Sequence, residues 1–199
     1  MARVQPVPTS KRSPMLRVIN KFAERQFGQE AENLNVLALS PGLIVPYLMS
    51  SRMSQVKTEL DLETKSLAMH LAAARNGCAW CIDFGLARAV EEGVPMEKMV
   101  AVLDYATDPR FTPAQRAALA FADDILANHG HPSDERFEAL KPHFSEREIV
   151  ELTVSVALEV FFNYTNGPLG IESQNFCAMP AAFQSHDAAA APVRMEARM

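Results

Sequence analysis

Apolar residues recur along this chain at the spacing of amphipathic helices, and the alternation typical of strands is nearly absent. Helix start and stop signals divide this pattern into consecutive segments. The predicted helices run from Pro14 to Phe27, Ser40-Pro41 to about Met53, Leu62 to Arg75, the Cys78 region to Glu92, Pro95 toward Asp104, Thr112 to about Asn128, and Ser145 through Phe162. The sequence therefore predicts an all-α fold with about seven or eight helices.

Local capping signals set several of these boundaries. Thr112-Pro113-Ala114-Gln115 and Ser145-Glu146-Arg147-Glu148 both fit the capping box, in which the side chain of the fourth residue reaches back to the first amide. Asp61 is a further N-cap candidate, and Gly28 and Gly93 suit the left-handed residue that follows a helix.

Length and composition favour one soluble domain. We expect a single helical domain over residues 15–175, between a flexible N-terminal arm (1–14) and a C-terminal tail (176–199). The net charge of -5 argues against nucleic acid and anionic membranes as partners. No apolar run reaches the roughly 18 residues of a membrane span, and the first residues lack the apolar stretch of a signal peptide. We therefore expect a cytoplasmic protein.

The candidate chemistry is a Cys-x-x-Cys pair, Cys78 and Cys81, directly after Asn76-Gly77 at a predicted helix start. A helix N-terminus stabilises anions, and the thiolate is the reactive form of cysteine. In a cytoplasmic chain with three cysteines, such a close pair is typical of metal binding or redox chemistry.

Zinc binding is the first alternative, because Cys-x-x-Cys is also half of a structural zinc site. The candidate further ligands are Cys177, His70, His129, His131 and His143. None of them forms a second tight pair with familiar spacing, so we expect no metal. No nucleotide or flavin motif occurs either, so we expect no cofactor.

The stretch from Leu62 to about Val102, with its Asn-Gly-Cys-x-x-Cys-Ile-Asp run, resembles the core of the alkylhydroperoxidase-D-like and carboxymuconolactone decarboxylase superfamily. The predicted helix from Ser145 resembles the closing helix of that family. The resemblance implies an alkylhydroperoxidase-D-like helical domain that forms a homo-oligomer (dimer, trimer or hexamer). It also implies that Cys81 attacks a peroxide, that Cys78 resolves the product as a disulfide, and that an external dithiol protein or small thiol supplies electrons.

Two positions depart from the family pattern. The family's redox signature has a Glu and a His where this chain has Ser66 and Gly85. Loss of that proton relay removes acid–base help worth roughly a hundred- to ten-thousand-fold in rate. Glu63, Ser66 and His70 share one helix face, so we hypothesise that His70, held by Glu63 or Ser66, is a substitute base. The alternative is that Glu63 is a solvated acid and His70 a packing residue.

Three residues are candidates for a substrate pocket. Trp80 lies between the cysteines, and Gly85 leaves open the space that the family's imidazole fills. A faint internal repeat at an offset of 85 residues aligns Asn163 and Asn166 with the two cysteines, and their neighbour Tyr164 is the third candidate. Chance similarity between helical sequences is the alternative explanation of this repeat. Packing is the alternative role for each.

These observations favour a thiol–disulfide oxidoreductase that reduces peroxides or disulfides through the cysteine pair. Two alternatives stay open. One is a non-redox enzyme like the decarboxylase branch of the superfamily, which acts on a cyclic lactone acid. The other is a non-catalytic redox sensor or interaction module, in which the disulfide switches the packing of an oligomer.

Overall fold

Nine α-helices and no strand occur in residues 2–177, the part of the chain that this computed structural model describes. The helices are α1 (Pro14–Phe27), α2 (Glu32–Leu37), α3 (Ile44–Ser54), α4 (Leu62–Arg75), α5 (Ala79–Glu92), α6 (Met96–Val100), α7 (Pro113–Ala127), α8 (Asp134–Glu138) and α9 (Glu146–Leu169). Short 3₁₀ turns cover Thr9–Lys11, Pro41–Leu43 and Val102–Asp104. The predicted all-α class is confirmed.

The helix count is higher than the predicted seven or eight because two short helices give weak signals. α2 has six residues and its N-cap residue, Ala31, makes no side-chain cap, and α8 has five residues. Helices this short are stabilised by tertiary contacts rather than by their own sequence. The predicted capping boxes that open α7 and α9 are both present, as is the Asp61 cap on α4.

Helix α4 lies at the centre of the domain and packs against α5, α7 and α9. Its inward positions are almost completely buried: Leu67, Ala68, Leu71, Ala72 and Ala73. A helix buried on several sides needs small residues where neighbouring backbones approach closely, and the alanines meet that need. The thiol pair follows this central helix and is thereby held inside the domain.

The residues before α1 pack against the domain, which differs from the flexible arm that the sequence predicts. The backbone N–H of Arg3 donates to Leu169 O at 2.8 Å, and that of Val7 donates to Asn35 O at 3.0 Å. Ala2 and Val7 are buried. Such contacts join distant parts of the chain, so local sequence patterns do not predict them.

Of the predicted C-terminal tail, the structure describes only the first two residues, and both pack against the domain. Residues 178–199 and Met1 lie outside the described part. Among residues 2–177, every helix is too short or too polar to cross a bilayer.

Candidate active site

The two cysteines lie at the first turn of α5. Cys78 is the N-cap residue, and its Sγ accepts a hydrogen bond from the backbone N–H of Cys81 at 3.4 Å. The two sulfurs form a disulfide across a Cα–Cα distance of 5.2 Å. Gly77 turns the chain into α5 with a φ of 64°, a left-handed conformation that glycine adopts without strain. The pair is therefore at the predicted helix N-terminus, where backbone N–H groups favour a thiolate on reduction.

A cavity of about 1010 Å³ opens beside Cys81, with walls from α1, α3, α4, α5 and α9. Both cysteines are buried, but Cys81 lines this cavity and Cys78 does not. The predicted pocket residues Trp80 and Gly85 line it as well. A ligand in the cavity therefore meets the sulfur of Cys81 first.

Two asparagines of α9 contact the segment that carries the thiols. The side-chain amide of Asn166 donates to Cys81 Sγ at 3.5 Å, and Asn163 Oδ1 accepts from Asn76 Nδ2 at 2.9 Å. These are the two residues that the internal repeat aligns with the cysteines. Their neighbour Tyr164 lies outside the cavity with 66% of its surface exposed, because the inward face of α9 at this level belongs to the asparagines.

His70 reaches the same cavity from α4 and is buried. Its Nδ1 lies 3.2 Å from the point that a Cβ on Gly85 would occupy. Because Gly85 follows Cys81 by four residues on α5, the imidazole lies about one helical turn from the sulfur. Burial lowers the pKa of His70 to about 4, so the ring is neutral at neutral pH.

The other two residues proposed to support the thiols are separated in the structure. Ser66 lines the cavity, whereas Glu63 accepts hydrogen bonds from Lys98 and from Gln115 Nε2. Burial opposes ionisation of Glu63, but those bonds outweigh it and hold its pKa below the ordinary value. Glu63 therefore links α4 to α6 and α7 and is not part of the cavity wall.

Four aromatic rings form the cavity wall next to Cys81. Trp80 stacks on Phe84 with ring centroids 4.9 Å apart, and Phe27 packs against Phe84 at 5.1 Å. Phe176 meets Trp80 edge-on at 5.9 Å. Stacked and edge-on pairs of this kind give a rigid apolar surface suited to a flat ligand.

A C-terminal strap, residues 173–177, closes this wall and is held by Asp83, a fully buried residue of α5. The Asp83 carboxylate accepts four hydrogen bonds within 3.1 Å, from Ser173 Oγ and from the backbone N–H groups of Gln174, Phe176 and Cys177. The side chain of Gln174 adds a further link, because its Oε1 accepts from Trp80 Nε1 at 2.9 Å. Asp83 and Gln174 thus position the aromatic wall.

Helix α9 also places an acid at the cavity that sequence reasoning missed. Glu159 lines the cavity with 8% of its surface exposed, and its Oε1 accepts from Asn163 Nδ2 at 2.7 Å. Burial raises the pKa of Glu159 to about 7. Tyr47 of α3 lines the same region, and burial raises its pKa to about 12. The available signal was a polar stripe, Glu159, Asn163 and Asn166, at helical spacing inside an otherwise apolar segment.

Within residues 2–177, no three His, Cys, Asp or Glu side chains come together in a group that could hold a metal ion. The third cysteine, Cys177, has a free thiol at the end of the strap.

The structure defines an all-helical domain with a disulfide at the edge of an apolar cavity. Comparisons with known proteins show what the chain is similar to. Residues 46–124 match the family model described as the carboxymuconolactone decarboxylase family. YnjA, an uncharacterized protein of Escherichia coli, is 24% identical over 176 residues, which cover 87% of this chain and 96% of YnjA.

Solved structures share the fold. The debrominase Bmp8 gives a TM-score of 0.72 at 24% identity over 92% of this chain and 95% of that chain. A Bmp8 variant in complex with 2,3,4-tribromopyrrole gives a TM-score of 0.72 at 23% identity, over 93% of this chain and 95% of that chain. An uncharacterized peroxidase-related protein from Ralstonia eutropha, with an alkylhydroperoxidase AhpD core, gives a TM-score of 0.72 at 19% identity, over 86% of this chain and 93% of that chain. The family match over residues 46–124 and the shared fold confirm the resemblance to the alkylhydroperoxidase-D-like and carboxymuconolactone decarboxylase superfamily stated above.

Proposed function

We propose that this protein is a thiol-dependent reductase of organic peroxides, with Cys81 as the attacking thiol and Cys78 as the resolving thiol. The observation that supports this assignment is the unequal position of the two sulfurs. Cys81 lines the cavity, and Cys78 lies behind it within disulfide-bonding distance. A ligand that reacts with the first thiol therefore leaves the second one positioned to displace the product.

The reaction balances with two thiols and one peroxide. The Cys81 thiolate attacks the terminal peroxide oxygen, the O–O bond breaks, and the alkoxide takes a proton to leave as an alcohol. Cys81 is then a sulfenic acid. The Cys78 thiol attacks that sulfur, a disulfide forms, and water leaves. An external dithiol protein or small thiol restores both thiols and is itself oxidised to a disulfide.

Activation of Cys81 in this proposal relies on fixed hydrogen-bond donors. The N-terminal N–H groups of α5 and the amide of Asn166 favour the thiolate. His70 is a poor general base by comparison, since a base with a pKa of about 4 accepts a proton from a thiol of ordinary pKa 8.5 only weakly. We therefore assign His70 the role of a neutral positioning residue beside Cys81. A His70→Ala variant with unchanged Cys81 pKa and unchanged reaction rate would contradict this role.

The test is to mix the reduced protein with hydrogen peroxide or cumene hydroperoxide and to follow Cys78–Cys81 disulfide formation by mass spectrometry. Peroxide loss is timed in parallel with excess dithiol. We expect multiple turnovers and a preference for the organic peroxide, because the cavity wall is aromatic. A disulfide that forms without turnover would instead favour the redox-sensor alternative.

A second candidate is reductive removal of a halogen from an aromatic ring. The aromatic wall around Cys81 favours it, and the debrominase Bmp8 shares this fold. Two thiols supply the electrons: the carbon–bromine bond is replaced by carbon–hydrogen, bromide and a proton leave, and the thiols become a disulfide. Release of bromide from a bromopyrrole in the presence of dithiol tests this candidate, and its absence would exclude that substrate class.

The decarboxylase-like alternative requires cationic groups for a substrate carboxylate, and four cations line the cavity: Arg52, Lys57, Lys65 and Arg88. Lys65 Nζ donates to Val56 O at 3.1 Å, and Arg88 pairs with Glu92. Two of the four cations are thus engaged by protein groups, and the redox assignment rests on the cysteine pair at the cavity.

We also propose that the chain forms a homo-oligomer through α1, α3 and α9. These helices carry exposed apolar side chains, and α3 packs beside α9. The exposed residues are Val18, Phe22, Val45, Met49, Met53, Val150, Val154 and Phe161. Exposed apolar side chains that lie on neighbouring helices are typical of a protein interface, and a second copy of the chain would cover them.

A further inference from the structure

The cavity is much larger than a hydrogen peroxide molecule requires. Its volume is about 1010 Å³, whereas a water molecule takes about 30 Å³ of liquid. Sites for organic ligands commonly have volumes of about 300–1,000 Å³. The flat surfaces of Trp80 and Phe84 next to Cys81 add a shape preference for planar, apolar molecules.

Four carboxyl groups line the cavity, those of Glu59, Asp61, Glu92 and Glu159, and only that of Glu159 is buried. Asn163 donates to Oε1 of Glu159, and Oε2 receives no hydrogen bond from any residue in the described part of the chain. The buried phenol of Tyr47 lies close enough for the Glu159 charge to raise its pKa further. A buried carboxyl with one protein hydrogen bond costs stability unless a further partner satisfies it. The second oxygen is therefore available to a ligand.

The separation between this carboxyl and the reactive sulfur follows from α9. Asn166 contacts Cys81 and lies seven residues after Glu159 on the same helix face. Seven residues rise about 10 Å along a helix. A ligand that touches both groups therefore needs a length of about 10 Å, which an aromatic ring with a substituent at each end provides.

We propose that Glu159 binds a hydroxyl or ring N–H group at one end of a planar aromatic substrate, while the reactive group at the other end faces Cys81. This inference rests on the proposed thiol reductase function and narrows its substrate class to aromatic compounds with a hydrogen-bond donor remote from the reacting atoms. The aromatic wall holds the ring, and the carboxylate selects the orientation.

Binding can be tested without any redox chemistry, because Trp80 is the only tryptophan of the chain and lines the cavity. The probes are 4-isopropylphenol and isopropylbenzene, which differ only in the hydroxyl group. Each is titrated against the oxidised protein at about pH 8, and Trp80 fluorescence reports binding. A hydrogen bond to a charged group contributes about 1.5–3 kcal/mol, so we expect the phenol to bind roughly 10- to 100-fold more tightly.

The variants Glu159→Leu and Glu159→Gln locate the effect, and Glu97→Gln is the control because Glu97 is an exposed residue of α6 outside the cavity. We expect Glu159→Leu to abolish the preference for the phenol, Glu159→Gln to reduce it, and the control to retain it. An equal affinity for both probes in the wild type, no binding of either, or a preference that survives both Glu159 variants would overturn the inference. Because no peroxide is present, these results are independent of the peroxidase measurement.

Discussion

The Nδ1 atom of His70 lies 3.2 Å from the point where a Cβ on Gly85 would be placed. An imidazole from α4 thus lies against the α5 position at which the superfamily's redox signature has its histidine. The same relationship explains why Gly85 is a glycine in the middle of a helix, where this residue costs about 1 kcal/mol relative to alanine.

The first prediction concerns the packing of these two residues. In the wild type, Gly85→Ala crowds His70, and we expect the gain in helix propensity to be cancelled or exceeded by strain of about 1–3 kcal/mol. In a His70→Ala background the same change meets open space and stabilises by about 1 kcal/mol. Urea unfolding of the wild type, the two single variants and the double variant measures the coupling free energy between residues 70 and 85. An equal effect of Gly85→Ala in both backgrounds would contradict the contact.

The second prediction is a pH dependence with two opposing contributions. Glu159 has a pKa raised from 4.5 to about 7, so between these values the unfolded chain loses a proton that the folded one keeps, and stability falls as pH rises. His70 has a pKa lowered from 6.5 to about 4, so the unfolded chain holds the extra proton and stability rises with pH. Each group changes the free energy of unfolding by about 3 kcal/mol over its own pH range. The two changes have opposite signs and nearly cancel between pH 4.5 and 6.5.

A variant that lacks one of these two groups shows the pH dependence of stability that the other group contributes. Relative to the wild type, Glu159→Gln is expected to gain stability as pH rises from 4.5 to 7, and His70→Phe to lose stability from 4 to 6.5. Urea unfolding at several pH values gives each slope, and all other titrating groups are common to the three proteins. Parallel curves for a variant and the wild type would contradict the assigned pKa.

The third prediction concerns the strap. Asp83→Asn replaces a carboxylate that accepts four hydrogen bonds by an amide with one acceptor oxygen, and we expect a loss of about 2–4 kcal/mol. Release of the strap also exposes Trp80, so its fluorescence shifts to longer wavelength. The matched control is Asp104→Asn, because Asp104 is exposed. Unchanged stability and fluorescence in Asp83→Asn would show that the strap is not held there.

The fourth prediction tests the proposed oligomer. Met49 and Val90 are similarly exposed, at 65% and 63%, but only Met49 belongs to the apolar surface of α1, α3 and α9. We expect sedimentation velocity to show an assembled wild type, a dissociated Met49→Glu variant and an assembled Val90→Glu variant. A monomeric wild type, or equal behaviour of the two variants, would contradict the proposed interface.

The sequence predicts those features that depend on local hydrogen bonds. The capping boxes at Thr112 and Ser145 and the helix start at Cys78 are all in place, because a cap is formed within four residues. Glu159 was missed because its burial depends on which face of α9 turns toward α4, and helical periodicity in an apolar segment does not decide that. The hypothesis that Glu63 holds His70 assumed that two residues on one helix face contact each other. Lys98 and Gln115, from two other helices, bind Glu63 instead.

The most direct test of the proposed chemistry is to identify which sulfur a peroxide oxidises. Reduced Cys78→Ser and Cys81→Ser variants are treated with cumene hydroperoxide and a sulfenic-acid trap, and the adducts are located by mass spectrometry. Because Cys81 lines the cavity and Cys78 does not, we expect a rapid adduct on Cys81 in the first variant and none on Cys78 in the second. Labelling of Cys78 in the second variant, or no labelling of Cys81 in the first, would contradict the assignment of Cys81 as the attacking thiol.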